Sequence, residues 1–107
     1  MIRITYTALF ACALLLAPQT VFAADAQVTI DNFTFSPAEI DVAVGSRVVW
    51  TNRDDIPHTV TDADNPRTIK SGPLDTGDSY TRTFDKPGTY HYFCSLHPHM
   101  QGTVVVR

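Results

Sequence analysis

The chain has little that could crosslink it or anchor it to a charged surface. Its 107 residues contain two cysteines and five glycines, and no run of like charge exceeds two residues. Short charge runs exclude a polybasic anchor or an acidic tail, and a formal net charge of −3 argues against a nucleic-acid surface. The chain also lacks a glycine-rich phosphate loop, a His-Glu-x-x-His pair and a Gly-x-Ser-x-Gly elbow. We therefore expect a protein that is not an enzyme.

The first 23 residues read as a signal peptide. Arg3 supplies a positive start, and Ala8 to Ala17 is an apolar run too short to span a bilayer. Small residues follow at the positions that a signal peptidase reads, in Val21-Phe22-Ala23. We predict cleavage after Ala23. Residues 24–107 would then form a single exported, periplasmic domain without a membrane span.

Removal of this segment changes the cysteine count and the charge. Cys12 is lost and Cys94 becomes the only thiol, while loss of Arg3 takes the formal net charge from −3 to −4. A single thiol cannot form an internal disulfide, and in an oxidising compartment it needs another reason to be there. Metal ligation is such a reason. A domain of this size has a small core, and a metal that binds only the folded state would stabilise it.

The remaining sequence has the pattern of an all-β protein. Short segments rich in Val and Thr alternate apolar and polar residues, and Gly, Pro, Asp and Asn separate them. About seven to eight such strands predict a Greek-key β-sandwich. Val44-Gly45-Ser46-Arg47 reads as a hairpin turn. The predicted strands are Gln27 to Ile30, Ile40 to Val44, Arg47 to Asn52, His58 to Thr61, Ser79 to Phe84, Thr89 to Phe93 and Thr103 to Val106.

The segment between the fifth and sixth of these strands has a more specific pattern. Pro87-Gly88 turns the chain, and Tyr90 begins the next strand. This order is typical of a tyrosine corner, in which the hydroxyl bonds to backbone a few residues upstream. The alternative is an ordinary turn followed by a core tyrosine. Either arrangement would fix the start of the strand that leads to Cys94.

The most informative stretch is the one from Tyr90 to Met100. It contains a thiol, an imidazole and a thioether at the spacing Cys-x2-His-x2-Met, formed by Cys94, His97 and Met100. A tight loop between two strands would direct these three side chains at one point. Blue-copper electron-transfer sites use two histidines, one cysteine and a weak axial methionine. The spacing therefore indicates a copper site that lacks one histidine.

His58, in Ile56-Pro57-His58-Thr59-Val60, is the candidate for the missing ligand. Zinc is the competing metal, but zinc prefers closed sets of Cys and His and makes little use of a thioether. His91 should not be a ligand, because it lies on the predicted strand that precedes Cys94, three residues away, and should face the opposite side. Copper is the favoured metal.

These residues together resemble the cupredoxins, the small blue copper proteins. The resemblance rests on Trp50-Thr51-Asn52 followed by Pro57-His58, on Pro87-Gly88-Thr89-Tyr90, and on Cys94-x2-His97-Pro98-x-Met100-x-Gly102. The short ligand loop is most similar to that of amicyanin, within the plastocyanin–pseudoazurin group. The resemblance implies a cupredoxin-like sandwich with one type 1 copper ion. It implies His58, Cys94 and His97 as equatorial ligands and Met100 as the axial ligand, with His97 at the surface in an apolar patch.

Three positions depart from the amicyanin pattern. Thr59 stands where an Asn usually follows the first ligand histidine, Leu96 where a Pro is common, and His99 where an aromatic residue is common. The Thr59 backbone N–H can still reach the Cys94 sulfur. Whether its side chain also ties the two ligand-bearing loops together is left open by the sequence.

The function implied is that of an exported one-electron carrier. The resemblance suggests redox protein partners, namely a donor dehydrogenase, a cytochrome c, or both, with no nucleic acid, and we expect a monomer. A periplasmic copper carrier or reservoir without a role in electron transfer is the alternative. Transfer of copper between proteins favours exposed, exchangeable Met and His ligands, whereas a thiolate in a rigid loop fits electron transfer better.

Overall fold

The computed structural model describes residues 24–64 and 68–107, and these form eight strands and no helix. The predicted signal peptide, residues 1–23, lies outside the described residues. Within the described ranges no helix could cross a membrane. The strands are β1 (Asp25–Asp31), β2 (Thr34–Ser36), β3 (Glu39–Val42), β4 (Arg47–Asn52), β5 (Thr61–Asp62), β6 (Ser79–Thr83), β7 (Gly88–Cys94) and β8 (His97–Val106).

The strands form two four-stranded sheets, which confirms the predicted all-β sandwich. One sheet has the order β2-β1-β4-β6 and the other the order β3-β8-β7-β5. β1 pairs with β4, and β3 with β8, in parallel, while the remaining neighbours are antiparallel. β7 and β8, which carry Cys94 and His97, are the central pair of the second sheet.

The segment from Val44 to Arg47 does turn, but the prediction of a hairpin was wrong. The Ser46 N–H donates to the Ala43 carbonyl at 3.0 Å, and Gly45 has a φ of 89°. However, β3 and β4 on either side of this turn belong to different sheets and do not pair. The local sequence specifies a reversal of the chain, whereas the sheet that each strand joins depends on distant partners.

Alternate side chains of the strands fill a core between the sheets. Trp50 is fully buried, and its ring centroid lies 5.3 Å from that of Tyr92. Phe35 also packs on Tyr92, with ring centroids 4.8 Å apart. Tyr92 pairs with Gly102 on β8, and a Cβ atom at Gly102 would overlap the Tyr92 ring. The glycine therefore allows an aromatic residue to lie flat over β8.

The predicted tyrosine corner is confirmed. The Tyr90 hydroxyl donates to the Lys86 carbonyl at 2.8 Å, and the Tyr90 ring packs on Phe84 with centroids 4.9 Å apart. The corner fixes the first residues of β7. Six residues of continuous strand pairing with β8 then lead from Gly88 to Phe93, just before Cys94. The thiol is therefore held at the end of a strand that is anchored at its start.

Candidate metal centre

Three side chains that the sequence singled out converge at one end of the sandwich. His58, Cys94 and His97 each place a potential ligand atom within 4.8 Å of the others. The Cys94 Sγ lies 3.7 Å from Nδ1 of His58 and 3.7 Å from Nδ1 of His97. His58 and Cys94 are fully buried, whereas His97 is half-buried. Both imidazoles thus present the same nitrogen to the sulfur, one from the interior and one from the edge.

The chain between Cys94 and Met100 is shaped by an irregular join of β7 and β8. Cys94 pairs with His97, whereas the preceding residue, Phe93, pairs with Gln101. Three residues of β8, 98–100, therefore have no counterpart on β7, and they bulge out of the ladder. Bulges of this kind redirect side chains next to functional sites. The sequence had predicted a strand only from Thr103, so the structure extends this strand by six residues toward the site.

Met100 lies within this bulge and points inward. Its side chain is 5% exposed and belongs to the same buried apolar cluster as Cys94. The thioether is thus placed on the interior side of the loop. Its predicted role as a ligand stays a prediction.

His58 is positioned by a short bridge rather than by the strand that the sequence predicted. The His58 N–H donates to the Leu74 carbonyl at 3.1 Å, and the Leu74 N–H donates back at 2.7 Å. The Asn52 side chain donates at 2.9 Å to the carbonyls of both Leu74 and Ile56. β5 itself begins only at Thr61. A buried amide therefore fixes the segment before His58, where strand pairing is absent.

The Cys94 sulfur accepts a backbone hydrogen bond from the neighbouring loop. The Thr59 N–H donates to Sγ at 3.3 Å, as expected from the sequence. The Thr59 hydroxyl oxygen also accepts the Ser95 backbone N–H at 2.8 Å. Threonine thus links the loop that carries His58 to the loop that carries Cys94. The question left open by the sequence is answered in favour of a side-chain tie.

Asp54 also contacts the site, and nothing in the sequence analysis pointed to it. Its Oδ2 lies 2.9 Å from Nε2 of His58, and its side chain is almost wholly buried. The same oxygen accepts the Phe33 backbone N–H at 3.0 Å. These two donors, Phe33 first and His58 second, lower the pKa of Asp54 to about 2. An acidic residue between Arg53 and Asp55 reads as part of a solvated loop, so only the fold reveals its position.

The donor set fits copper. A buried thiolate sulfur and two imidazole nitrogens form a soft site, which selects copper or zinc over magnesium or calcium. The inward placement of Met100 favours copper, since a thioether suits Cu(I) and adds little for zinc. His91 is exposed and its Nδ1 lies 3.2 Å from the Thr103 hydroxyl, which confirms that it faces away from Cys94.

Comparison with known proteins agrees with this chemistry. Residues 22–107 match the model of the family described as copper binding proteins, plastocyanin/azurin family. The chain is 39% identical over 104 residues to amicyanin-alpha of Methylorubrum extorquens, covering 94% of this chain and 87% of the relative. It is 34% identical over 89 residues to amicyanin of Paracoccus denitrificans, covering 78% of this chain and 68% of the relative.

This chain is also similar to solved structures, in fold as well as in sequence. A purple cupredoxin from Nitrosopumilus maritimus superposes with a TM-score of 0.71 at 36% identity, covering 78% of this chain and all of that chain.

Proposed function

The chain belongs to the plastocyanin/azurin family of copper-binding proteins, and on this basis we propose that it is an exported carrier of single electrons. Its cofactor is one type 1 copper ion. The observation that carries the proposal is the approach of the Cys94 sulfur to Nδ1 of both His58 and His97, at 3.7 Å each. Two histidines and one cysteine are the strong ligands of electron-transfer copper sites.

His58, Cys94 and His97 would hold the copper as its strong ligands, and Met100 would be the weak fourth ligand. The burial of Met100 and its place in the bulge of β8 support its role. When bound, the copper supplies the one-electron chemistry, since it cycles between Cu(I) and Cu(II). The protein supplies a donor set that both oxidation states accept.

The surrounding residues hold the ligands and keep water away. The Thr59 N–H occupies one lone pair of the Cys94 sulfur, and the Thr59 hydroxyl fixes the position of Ser95 next to it. The ring of His58 has no exposed surface. Ligands held in this way move little when the charge of the site changes, and such rigidity favours fast electron transfer over release of the metal.

Electrons would enter and leave at the edge of the sandwich where His97 is half-buried. Two large apolar side chains, Phe33 and Leu96, are each 51% exposed, and the Phe33 ring centroid lies 5.0 Å from that of His97. An apolar surface next to a ligand suits transient contact with redox proteins. We propose a donor dehydrogenase, a cytochrome c, or both as partners of a monomeric carrier that is not an enzyme.

The proposal includes export. Residues 1–23 would be the signal peptide and residues 24–107 the copper-binding domain, which would act in the periplasm. The apolar run before Ala23 and the single thiol after it support this division. Mass determination of the protein recovered from the periplasm would test it, because cleavage after Ala23 predicts a mature chain that begins at Ala24.

The competing function is that of a copper carrier or reservoir. A carrier should release its metal readily, whereas an electron carrier should retain it through many redox cycles. We expect the copper-loaded protein to keep its metal in the presence of an excess of a Cu(I) chelator while it is reduced and reoxidised. Loss of copper to the chelator within the time needed to mix it with the protein would instead support the copper-carrier function.

A further inference from the structure

The carboxylate of Asp54 lies directly behind the buried imidazole of His58. Nδ1 of His58 faces the Cys94 sulfur, so Nδ1 must offer its lone pair when a metal is bound, and the proton then resides on Nε2. Nε2 is the atom that lies 2.9 Å from Asp54 Oδ2. The bond is therefore a charge-assisted N–H···O contact, and the carboxylate fixes the tautomer that metal binding requires.

The same carboxylate oxygen holds a second group, the backbone of Phe33. The Phe33 N–H donates to Oδ2 at 3.0 Å across 21 residues of sequence. Phe33 has a φ of 57°, a left-handed conformation that bulky residues rarely adopt, and it follows Asn32, whose φ is 49°. Such a conformation persists where the surroundings enforce it. Asp54 supplies one of the bonds that do so.

The Phe33 ring, held by this backbone conformation, covers both imidazoles. Its centroid lies 5.5 Å from that of His58 and 5.0 Å from that of His97, with the rings nearly perpendicular in both pairs. The Asp54 carboxylate therefore holds both the imidazole of His58 and the backbone of Phe33, whose ring covers the two imidazoles.

The two imidazoles differ in whether a carboxylate lies behind them. Among the described residues, no carboxylate lies within ion-pair distance of His97. The Asp54 carboxylate accepts N–H donors from Phe33 and His58, and such donors favour its charged form. The site thus has one imidazole that is backed by a carboxylate and one that is not.

We infer that Asp54 is a positioning residue that orients His58 and the Phe33 cover and lowers the reduction potential of the copper site. This inference rests on the proposed function. A carboxylate behind a ligating imidazole raises the basicity of the ligand nitrogen. A more basic ligand and a nearby negative charge both favour Cu(II), which carries the greater positive charge, over Cu(I).

Asp54 can be replaced without removing the contacts that hold its own backbone. The Asp54 N–H donates to the Asn52 side chain at 2.9 Å, and the Asp54 carbonyl accepts the Thr76 hydroxyl at 2.6 Å. Neither bond involves Oδ2. Asp54→Asn should therefore fold, and it removes the charge while changing the shape of the side chain very little.

The matched control is Asp55→Asn. Asp55 is adjacent, and it is exposed. Its substitution removes the same charge from nearly the same place without breaking a bond to His58. Any effect that Asp54→Asn shows beyond that of Asp55→Asn is then due to the contact with Oδ2 rather than to net charge.

The first measurement uses the full chain loaded with zinc, which has no redox chemistry. In proton–nitrogen NMR, the wild type and Asp55→Asn should show a downfield His58 Nε2 proton that exchanges slowly with solvent. Asp54→Asn should shift that proton upfield. Zinc affinity should fall by about 10–100-fold in Asp54→Asn, the usual effect of removing a partner behind a metal ligand, and by less in Asp55→Asn.

The second measurement is voltammetry of the copper-loaded proteins at neutral pH. The potential of Asp54→Asn should be higher than that of the wild type, by more than the rise in Asp55→Asn. Hydrogen exchange adds a test of the cover, since the Phe33 amide should be protected in the wild type and exposed to exchange in Asp54→Ala.

Equal potentials in Asp54→Asn and Asp55→Asn would overturn the inference, and so would a wild-type His58 Nε2 proton that exchanges rapidly. The wild-type proton can be measured even if Asp54→Asn fails to fold. These outcomes are distinct from failure of the proposed function, in which the wild type itself would bind no copper or would not cycle by one electron.

Discussion

The hydroxyl of Thr59 and the hydroxyl of Ser95 lie 2.8 Å apart, and they join the two loops that carry the metal-binding residues. The Thr59 oxygen also accepts the Ser95 backbone N–H at 2.8 Å, and it lies 3.1 Å from the Thr61 hydroxyl. Thr59 is 3% exposed, whereas Ser95 is exposed, so these bonds join the interior to the rim of the site. A single small side chain therefore takes over the linking role that an asparagine has in the amicyanin pattern.

Replacement of Thr59 by Val should weaken this link. The variant keeps the shape of the side chain and the backbone bond to Cys94, but it removes the acceptor for the Ser95 N–H. We expect the free energy of unfolding of the metal-free protein to fall by at least about 1 kcal/mol, the net value of one hydrogen bond, because the hydroxyl of Thr59 has three polar partners. Denaturant unfolding measures this change.

Thr59→Ser is the control, because it retains the hydroxyl and loses only a methyl group. If Thr59→Ser destabilises the protein as much as Thr59→Val does, then packing of the methyl group matters and the link between loops does not.

Replacement of Met100 by Gln should lower the reduction potential. A soft thioether favours Cu(I), and an amide oxygen favours Cu(II). Voltammetry of the two copper-loaded proteins decides the direction of the shift. An unchanged or higher potential would show that Met100 is not the axial ligand, despite its burial at the bulge of β8.

Tyr92 should make stability depend on alkaline pH. Burial raises the pKa of Tyr92 from its ordinary value of 10.0 to about 12. Because the folded-state pKa is raised, the stability that this group contributes is fully present below pH 10 and is lost as pH rises from 10 to about 12. A difference of two pKa units between the folded and unfolded states corresponds to about 2.7 kcal/mol in the free energy of unfolding.

The variant Tyr92→Phe has no proton to lose, so its stability relative to the wild type should improve over this range. At neutral pH the two proteins should differ by about 1 kcal/mol or less, because the Tyr92 hydroxyl forms no hydrogen bond of standard geometry among the described residues and the Trp50 indole N–H is only a weak partner. Chemical unfolding at several pH values gives the comparison. A difference that stays constant from pH 9 to about pH 12 would contradict the assigned shift.

The sequence was sufficient where function depends on residue type at fixed spacing. Cys94, His97 and Met100 lie within seven residues, and their ligand chemistry is distinctive, so the metal could be predicted from them. The tyrosine corner was equally local, since the Tyr90 hydroxyl reaches only four residues back to Lys86. His58 could be added because few histidines compete for the role.

The structure was needed where a contact joins distant parts of the chain. Phe33 and Asp54 are 21 residues apart in sequence, and neither stands in a pattern that predicts their bond. The prediction of a hairpin failed for the same reason, since the local sequence of the turn at Gly45 could not reveal that β3 and β4 join different sheets. β2 escaped prediction because three residues, Thr34–Ser36, are too few to show alternation.

The central claim is that Cys94 and the two imidazoles hold one copper ion that exchanges a single electron. The most direct measurement is a reductive titration of the Cu(II)-loaded protein, followed by the intense visible band that thiolate-to-Cu(II) charge transfer produces. We predict that one electron per chain removes the band, that reoxidation restores it fully, and that Cys94→Ser never shows it. A band that survives in Cys94→Ser, or a wild-type protein that binds copper without any such band, would contradict the account.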